Sequence, residues 1–169
     1  ALYRTIKDLH QGKAWYQWED NYKLRDKDTL NKIKEEYQEE IDFIYCQQFY
    51  FYKQWNTLHK YANEHAVKII GDIPFYVSLD SRDVWANPEG FLIDQEGNPE
   101  VVAGCAPDVF SATGQLWGNP IYDWKALKKN NYDWWMLRIK RNYELYDVIR
   151  FDHFYGFESY YAIPYGAKD

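Results

Sequence analysis

Apolar side chains recur every three to five positions through part of the first third of the chain. The series runs Leu30, Ile33, Tyr37, Ile41, Ile44, Phe49, Tyr52 and Trp55. This spacing predicts one long amphipathic helix or two consecutive helices, with Asp28 as the expected N-cap. Residues 1–9 predict the end of an earlier helix, which Gly12 would break. We therefore expect residues 1–66 to be helical.

An acidic run lies within the same stretch. Its members are Glu35, Glu36, Glu39, Glu40 and Asp42. Clustered carboxylates could hold a metal ion, but these residues interleave with the apolar series at helical spacing. They are therefore expected to form a solvated helix face.

Two short apolar runs predict buried strands. Residues 67–72, V-K-I-I-G-D, end in Asp72, and Pro74 prevents the strand from continuing. Residues 147–152, D-V-I-R-F-D, deliver Arg150 and Asp152 at their carboxyl end. Between these strands, residues 123–146 predict a helix. Its apolar stripe consists of Trp135, Ile139, Tyr143 and Tyr146.

The intervening residues 73–122 predict an insertion and a covering loop. Residues 91–94 and 100–103 are expected to pair as a small hairpin across a turn. Residues 104–122 contain Gly and Pro at irregular positions and show no period. A structureless run of this length is usually functional. Trp117, beside Gly118, either lies open to a ligand or pins the loop to the body of the domain.

The order helix, strand, insertion, helix, strand is typical of an α/β protein with a parallel sheet. A chain of 169 residues is long enough for one domain with a real core. A complete (β/α)₈ barrel typically takes about 250 residues, so the chain is too short for one. No internal repeat or domain linker is evident.

Composition narrows the possible partners. A net charge of −6 and a pI near 5.2 argue against nucleic acid, whose phosphates require a basic surface. The chain has neither a long apolar run nor a signal peptide, so we expect a cytoplasmic protein without membrane contact. Cys46 and Cys105 are far apart and are expected to be ordinary thiols. Aromatic residues make up 20% of the chain, and flat rings are suited to stacking on sugars.

The charged end of the second strand is the candidate site. Arg150 and Asp152 lie two positions apart, so they share one face of the strand and can form hydrogen bonds. Such a pair favours the ionised form of Asp152. A purely structural ion pair at a strand end explains the same spacing.

Asp72 and Asp152 would meet at one mouth of the sheet, because adjacent parallel strands place their carboxyl ends together. Carboxylates there suit metal binding or glycosidic chemistry. Asp152 and His153 offer oxygen and nitrogen ligands, but neighbouring side chains diverge and no motif supplies further ligands. We therefore expect no cofactor. A retaining sugar enzyme instead needs an ionised nucleophile, which Arg150 would favour at Asp152, and a separate acid/base group.

Three long motifs carry a resemblance to a known family. They are I-I-G-D-I-P-F-Y-V at residues 69–77, F-S-A-T-G-Q-L-W-G-N-P-I-Y at residues 110–122 and R-F-D-H-F-Y-G-F at residues 150–157. With these motifs in order, the chain resembles the 4-α-glucanotransferases, also called amylomaltases or disproportionating enzymes, over essentially its whole length. Family members are several hundred residues long, so we expect this chain to match an internal portion of their catalytic domain.

The resemblance implies a partial (β/α)₈ TIM barrel with an inserted loop and hairpin subdomain. It also implies retaining transfer of α-1,4-glucan segments between maltooligosaccharides or to glucose, with Asp152 as the nucleophile that forms a covalent glucosyl intermediate. The supporting or substrate-binding residues would be Asp72, Gln115, Trp117, Arg150 and His153. Gln115 and Trp117 match a mobile loop that covers the glucan and keeps water from the intermediate.

The chain also departs from the family pattern. Tyr155 stands where many relatives have Arg, which would remove a charge near the acceptor side. Ala106 replaces a frequent Pro, which would loosen the loop. The resemblance places the acid/base Glu and a third catalytic Asp beyond Asp169. We therefore expect these residues alone to be inactive, and their unclosed parallel sheet to self-associate.

Two other functions use the same features. A non-catalytic α-glucan-binding protein would use the aromatic surface without chemistry at Asp152. A hydrolase of the amylase-like clan would share the site but make only shorter sugars. The products formed from maltooligosaccharides would distinguish these alternatives from transfer.

Overall fold

Helices dominate the first of two units in the computed structural model, which describes residues 1–167. The elements of this unit, Ala1–Ile69, are α1 (Leu2–Leu9), a 3-10 turn (Trp15–Gln17), α2 (Asp20–Lys23), α3 (Lys27–Glu36) and α4 (Gln38–Glu64). The apolar series therefore spans two consecutive helices, which are separated at Tyr37. Its acidic run is exposed, as the sequence predicts.

The N-cap of α3 is Asp26, so the prediction of Asp28 is wrong. The Asp26 carboxylate accepts hydrogen bonds from the backbone N–H and the hydroxyl of Thr29, each at 2.8 Å. Asp28 instead lies in the first turn. A capping carboxylate precedes the helix and reaches the third helical N–H, and Asp26 satisfies both conditions.

Large apolar side chains occupy several sides of α4, a helix of 27 residues. Within the described chain, Ile41 is the only residue of α4 that is buried. Phe43, Phe49 and Tyr61 expose 64%, 62% and 60% of their surface. Of the predicted apolar stripe, Ile33 and Ile41 therefore belong to the core formed by the described residues, whereas Phe49 and Tyr52 are exposed.

The second unit begins with strand β1 (Ile70–Ile73). This strand pairs in parallel with β4 (Val148–Phe151), which lies late in the unit. Ile70 lies opposite Val148, and Asp72 lies opposite Arg150. Both strands are shorter than residues 67–72 and 147–152, and neither is fully buried. Burial alternates along β1, because only one face of the pair is well covered. No other strand of residues 1–167 joins this pair.

A three-stranded antiparallel sheet follows in the order β3-β2-β5. Its strands are β2 (Val101–Cys105), β3 (Gln115–Pro120) and β5 (Tyr161–Pro164). The predicted hairpin is reduced to one bridge between Ile93 and Pro99, since the second arm pairs elsewhere as β2. The prediction that residues 104–122 lack regular structure is wrong at β3. This strand pairs with β2, and residues 106–114 connect the two strands.

Helices complete the second unit. They are α5 (Arg82–Ala86), a 3-10 turn (Pro88–Gly90), α6 (Trp124–Lys129), α7 (Asp133–Leu145) and a second 3-10 turn (Phe154–Phe157). The single helix predicted over residues 123–146 is therefore two helices. Asn131 and Tyr132 have φ of 56° and 59°, a left-handed conformation that interrupts the helical hydrogen bonds.

Aromatic rings form the core of the second unit around Phe75, which is 2% exposed. The centroids of Tyr122, Trp135 and Phe157 lie 5.5, 5.5 and 4.9 Å from that of Phe75. Arg138 on α7 donates to the carbonyl oxygens of Pro74 and Phe75 at 2.6 and 3.1 Å. These contacts hold the chain that leaves the carboxyl end of β1.

Candidate functional site

Arg150 joins two carboxylates at the carboxyl ends of the parallel strands. Its Nη1 donates to Oδ2 of Asp72 at 2.7 Å, and its Nη2 donates to Oδ1 of Asp152 at 2.6 Å. Parallel register explains the first contact, since Asp72 and Arg150 are directly opposite. The second follows from the two-residue period of a strand. Arg150 therefore fixes both predicted carboxylates at one edge.

The ion pairs of this trio are open to solvent. The Arg150 and Asp152 side chains expose 58% and 53% of their surface. The hydrogen bonds that Arg150 donates to Asp72 and then to Asp152 raise the pKa of its guanidinium above the ordinary value. Arg150 is therefore a permanent positive charge beside both carboxylates.

The turn after β4 sets the direction of the next side chains. The Asp152 N–H donates to the carbonyl oxygen of Ile73 at 3.0 Å, which extends the contact between the two strands. His153 then adopts a left-handed conformation with φ of 51°. Its ring lies 5.9 Å from Phe75 and 5.8 Å from Tyr76, measured between centroids. Asp152 and His153 thereby border the same pocket.

That pocket has a volume of about 210 Å³. Its lining residues are Pro74, Phe75, Tyr76, Trp117, Asn119, Asp152 and His153. Aromatic walls with a few polar groups are typical of small-molecule sites. The pocket brings Asp152, His153 and Trp117 together. Arg150 adjoins it through its ion pair with Asp152, and Asp72 through its ion pair with Arg150.

Strand β3 delivers Trp117 to the pocket. The Trp117 ring meets the His153 ring edge-on, with centroids 5.2 Å apart and planes at 87°. Its indole N–H donates to Oε1 of Gln115 at 2.9 Å, which places Gln115 at the edge of the Trp117 ring. The Asn119 amide donates to the carbonyl oxygen of Val77 at 2.9 Å and ties this strand to the chain after β1. Trp117 is 37% exposed, so it is both anchored and accessible.

Two side chains in the pocket have buried polar atoms without hydrogen-bond partners among residues 1–167. They are the hydroxyl of Tyr76 and Nε2 of His153. Burial, assisted by the nearby Tyr160, raises the pKa of Tyr76 to about 12. The Tyr76 hydroxyl is therefore protonated at neutral pH and available as a donor.

Sequence reasoning missed Tyr76, Asn119 and Arg138. Tyr76 and Asn119 both lie inside motifs that carry the family resemblance. The sequence signal that could have identified them is a polar group in an unusual setting. Tyr76 lies in a largely apolar segment, and Asn119 lies in a Gly-rich one. Arg138 lies on a helix far along the chain from Pro74 and Phe75, so spacing alone cannot predict its contacts.

Within residues 1–167, no cluster of three or more His, Cys, Asp or Glu side chains is arranged to hold a metal ion. The two cysteines are free thiols. None of the helices in this part of the chain combines the length and apolar character that crossing a bilayer requires.

A carboxylate held by an arginine beside an aromatic pocket, at the carboxyl end of a parallel strand, is compatible with glycosidic chemistry. A family model described as 4-alpha-glucanotransferase matches residues 1–169. The chain belongs to the 4-alpha-glucanotransferase family.

Individual relatives agree with this family. The 4-alpha-glucanotransferases of Clostridium butyricum and Aquifex aeolicus are 47% and 46% identical over 99% of this chain. The amylomaltase of Streptococcus agalactiae, solved in complex with acarbose, matches 99% of the chain with a TM-score of 0.94 and 40% identity. The mixed helix and strand fold is therefore that of a segment of an amylomaltase. The chain spans 35%, 34% and 34% of these three proteins.

Proposed function

We propose that the full-length protein carrying this chain transfers α-1,4-glucan segments between maltooligosaccharides or to glucose. The observation that carries this proposal is Arg150, which holds Asp72 and Asp152 together beside an aromatic pocket. Family membership supports glucan transfer as the reaction. The acarbose complex of the Streptococcus agalactiae amylomaltase supports a sugar as the ligand of this fold.

Asp152 is the proposed nucleophile of a retaining mechanism. Arg150 hydrogen-bonds its Oδ1, which leaves Oδ2 to attack the anomeric carbon of the donor glucan. A bond from Asp152 to that carbon forms as the glycosidic bond breaks, and the leaving oxygen takes a proton from an acid/base carboxylic acid. In the second step, an acceptor hydroxyl gives up its proton to that base and displaces Asp152.

We assign the acid/base Glu to a part of the full-length protein outside residues 1–169. The isolated chain is therefore inactive in transfer. Asp72 and His153 bind the sugar that is attacked.

Trp117 and Gln115 separate transfer from hydrolysis in this proposal. A sugar in the pocket would lie against the accessible Trp117 ring, whose indole N–H donates a hydrogen bond to Gln115. The ring would exclude water from the glucosyl intermediate until an acceptor sugar arrives. Replacing either residue is expected to increase the share of hydrolysis among the products.

The finer structural assignments are also part of the proposal. Strands β1 and β4 belong to a (β/α)₈ barrel, of which this chain supplies one portion together with its inserted sheet. Both units lie in the catalytic domain, and the protein acts in the cytoplasm. Cell fractionation with an antibody against the chain tests the location.

The deciding experiment follows the products formed from maltotriose by the full-length protein and its Asp152→Asn variant. The wild type should form glucose and oligomers longer than maltotriose. The variant should lose roughly a thousandfold or more of this activity, because the attacking oxygen is replaced by an amide. Asp28→Asn makes the same change at an exposed residue of α3 and should retain full activity.

The products also separate the alternatives. Only shorter sugars from the wild type would indicate a hydrolase. Maltooligosaccharide binding without any products, unaffected by Asp152→Asn, would indicate a glucan-binding protein. Full transfer activity in Asp152→Asn would leave Asp152 as a structural ion-pair partner and refute the mechanism.

A further inference from the structure

The Tyr76 hydroxyl is enclosed by protein and makes no hydrogen bond to the part of the chain that the structure describes. Tyr76 as a whole is 8% exposed, and its hydroxyl oxygen has no partner among the described residues. Buried polar groups are nearly always hydrogen-bonded, because losing water without a replacement costs stability. An orphan hydroxyl therefore requires a reason at its position.

The surroundings of Tyr76 suggest that reason. His153 has its ring centroid 5.8 Å from that of Tyr76, and its Nε2 is also buried without a partner in the described chain. Both residues line the pocket that contains Asp152 and Trp117. The Trp117 ring centroid is 6.1 Å from the Tyr76 ring. Two residues with unsatisfied polar atoms thus line the same aromatic-walled pocket as the proposed nucleophile.

Neighbouring Tyr122 shows how the same side chain behaves when its role is structural. The two rings stack with centroids 6.3 Å apart and planes at 8°. The Tyr122 hydroxyl donates to the carbonyl oxygen of Phe75 at 2.7 Å. One tyrosine of the stack therefore ties down the chain after β1, whereas the other, which lines the pocket, has a buried hydroxyl without a partner among the described residues.

A sugar suits this arrangement chemically. A hexose presents apolar C–H faces, which match the Trp117 ring, and hydroxyl groups that both donate and accept hydrogen bonds. Because the Tyr76 hydroxyl is a donor at neutral pH, a sugar hydroxyl oxygen can accept from it. His153 Nε2 can then serve the same hydroxyl or its neighbour.

We infer that Tyr76 positions the substrate by donating a hydrogen bond to one hydroxyl of the glucosyl unit that Asp152 attacks. This inference rests on the proposed function. It adds a specificity-determining contact, because a donor sugar without that hydroxyl would leave the tyrosine unsatisfied. Such contacts discriminate more strongly than apolar ones.

The test compares Tyr76→Phe with Tyr122→Phe in the full-length protein. Tyr76→Phe removes only an unsatisfied hydroxyl, so its Tm should equal or exceed that of the wild type. Its kcat/KM for transfer from maltotriose should fall roughly tenfold to a hundredfold. Tyr122→Phe should show a lower Tm, since the same change there removes a hydrogen bond that the fold uses.

Monodeoxy maltotriose donors, each lacking one hydroxyl of the transferred unit, provide the second readout. For one of these donors, wild type and Tyr76→Phe should have equal kcat/KM, because the contact is already absent. Equal losses from Tyr76→Phe with every donor would contradict a specific hydroxyl contact.

The remaining outcomes are equally decisive. If the wild type transfers glucan and Tyr76→Phe is as active, the inference is wrong and the proposed function stands. A Tm that falls together with activity would show that the hydroxyl bonds another part of the protein, which also refutes the inference. A wild type without transfer activity refutes the proposed function and the inference together.

Discussion

The guanidinium of Arg150 can donate hydrogen bonds in two directions, and this property allows it to hold two carboxylates. Separate Nη atoms reach Asp72 and Asp152, which lie on different strands. The planar fork of arginine allows both hydrogen bonds at once, whereas the single ammonium of lysine is a point charge on a flexible stem. The fixed orientation of Asp152 thus depends on the identity of one side chain.

We expect Arg150→Lys to lower kcat for transfer by roughly tenfold to a hundredfold, because a lysine cannot hold both carboxylates in place. Product analysis of maltotriose reactions by the full-length protein measures this loss. Arg141→Lys changes a surface arginine that pairs with Glu144 and should leave activity unchanged. Equal activity of the Arg150→Lys variant would show that charge alone suffices at this position.

Asp26 illustrates a residue whose contribution depends on pH. The backbone N–H and the hydroxyl of Thr29 lower the pKa of the Asp26 carboxyl in the folded protein. A depressed folded pKa adds stability above the unfolded value of about 3.9, and this stability is lost as the pH falls through the folded pKa.

Asp26→Ala should therefore lower the Tm at neutral pH, and the difference from the wild type should shrink as the pH falls below about 4. Asp26→Asn keeps a capping oxygen without the titration, so its Tm relative to Asp26→Ala should be independent of pH in this range. Thermal unfolding followed by circular dichroism measures both. A difference that grows on acidification would contradict the assigned cap.

At the scale of elements, the turn after β4 is limited by the space around Gly156. A Cβ at this position would lie 2.7 Å from Cε1 of Phe75 and 2.9 Å from Cδ2 of His153. Phe75 is fixed among several rings, so it has little freedom to move. Close approach of the turn to this core therefore requires a residue without a side chain.

Gly156→Ala should lower the free energy of unfolding by about 1–3 kcal/mol through overpacking. Transfer activity should also fall, because His153 shares the same space. Gly90→Ala is the matched control, since its added Cβ would meet only the flexible Leu127 side chain at 3.3 Å. Chemical denaturation of both variants measures the effect, and equal stability would show that the turn can shift.

At the scale of the whole molecule, the parallel pair of the second unit has open strand edges in the described chain. No other strand of the described chain pairs with β1 or β4. Ile70, at the start of β1, is 68% exposed. Two-stranded sheets are marginal by themselves, and free strand edges promote association.

A protein consisting of residues 1–169 alone should therefore self-associate and show no transfer activity. Sedimentation velocity over a range of concentrations measures the first property. Ile70→Lys places a charge beside the free edge and should reduce association. A monodisperse monomer at all concentrations would contradict the predicted self-association. Formation of glucose and longer oligomers from maltotriose would contradict the predicted inactivity.

The sequence by itself determined the features that depend on neighbouring residues. Periodicity is a local property, so it indicated the helical first unit, both parallel strands and the shared face of Arg150 and Asp152. Local signals predicted the ends of elements less accurately, because several neighbouring residues can act as a cap or adopt a left-handed conformation. Asp26 rather than Asp28 caps α3, and Tyr132 interrupts the helix predicted over residues 123–146.

Only the tertiary structure decided which distant segments meet. The sequence did not predict strand β3, which lies in a Gly-rich stretch, because this strand is stabilised by pairing with β2. Strand β2 in turn also pairs with β5. The contacts of Arg138 and the orphan hydroxyl of Tyr76 likewise exist only once β1, α7 and the turn after β4 are assembled. Burial and hydrogen bonding across long sequence separations are properties of that assembly, and a linear pattern does not contain them.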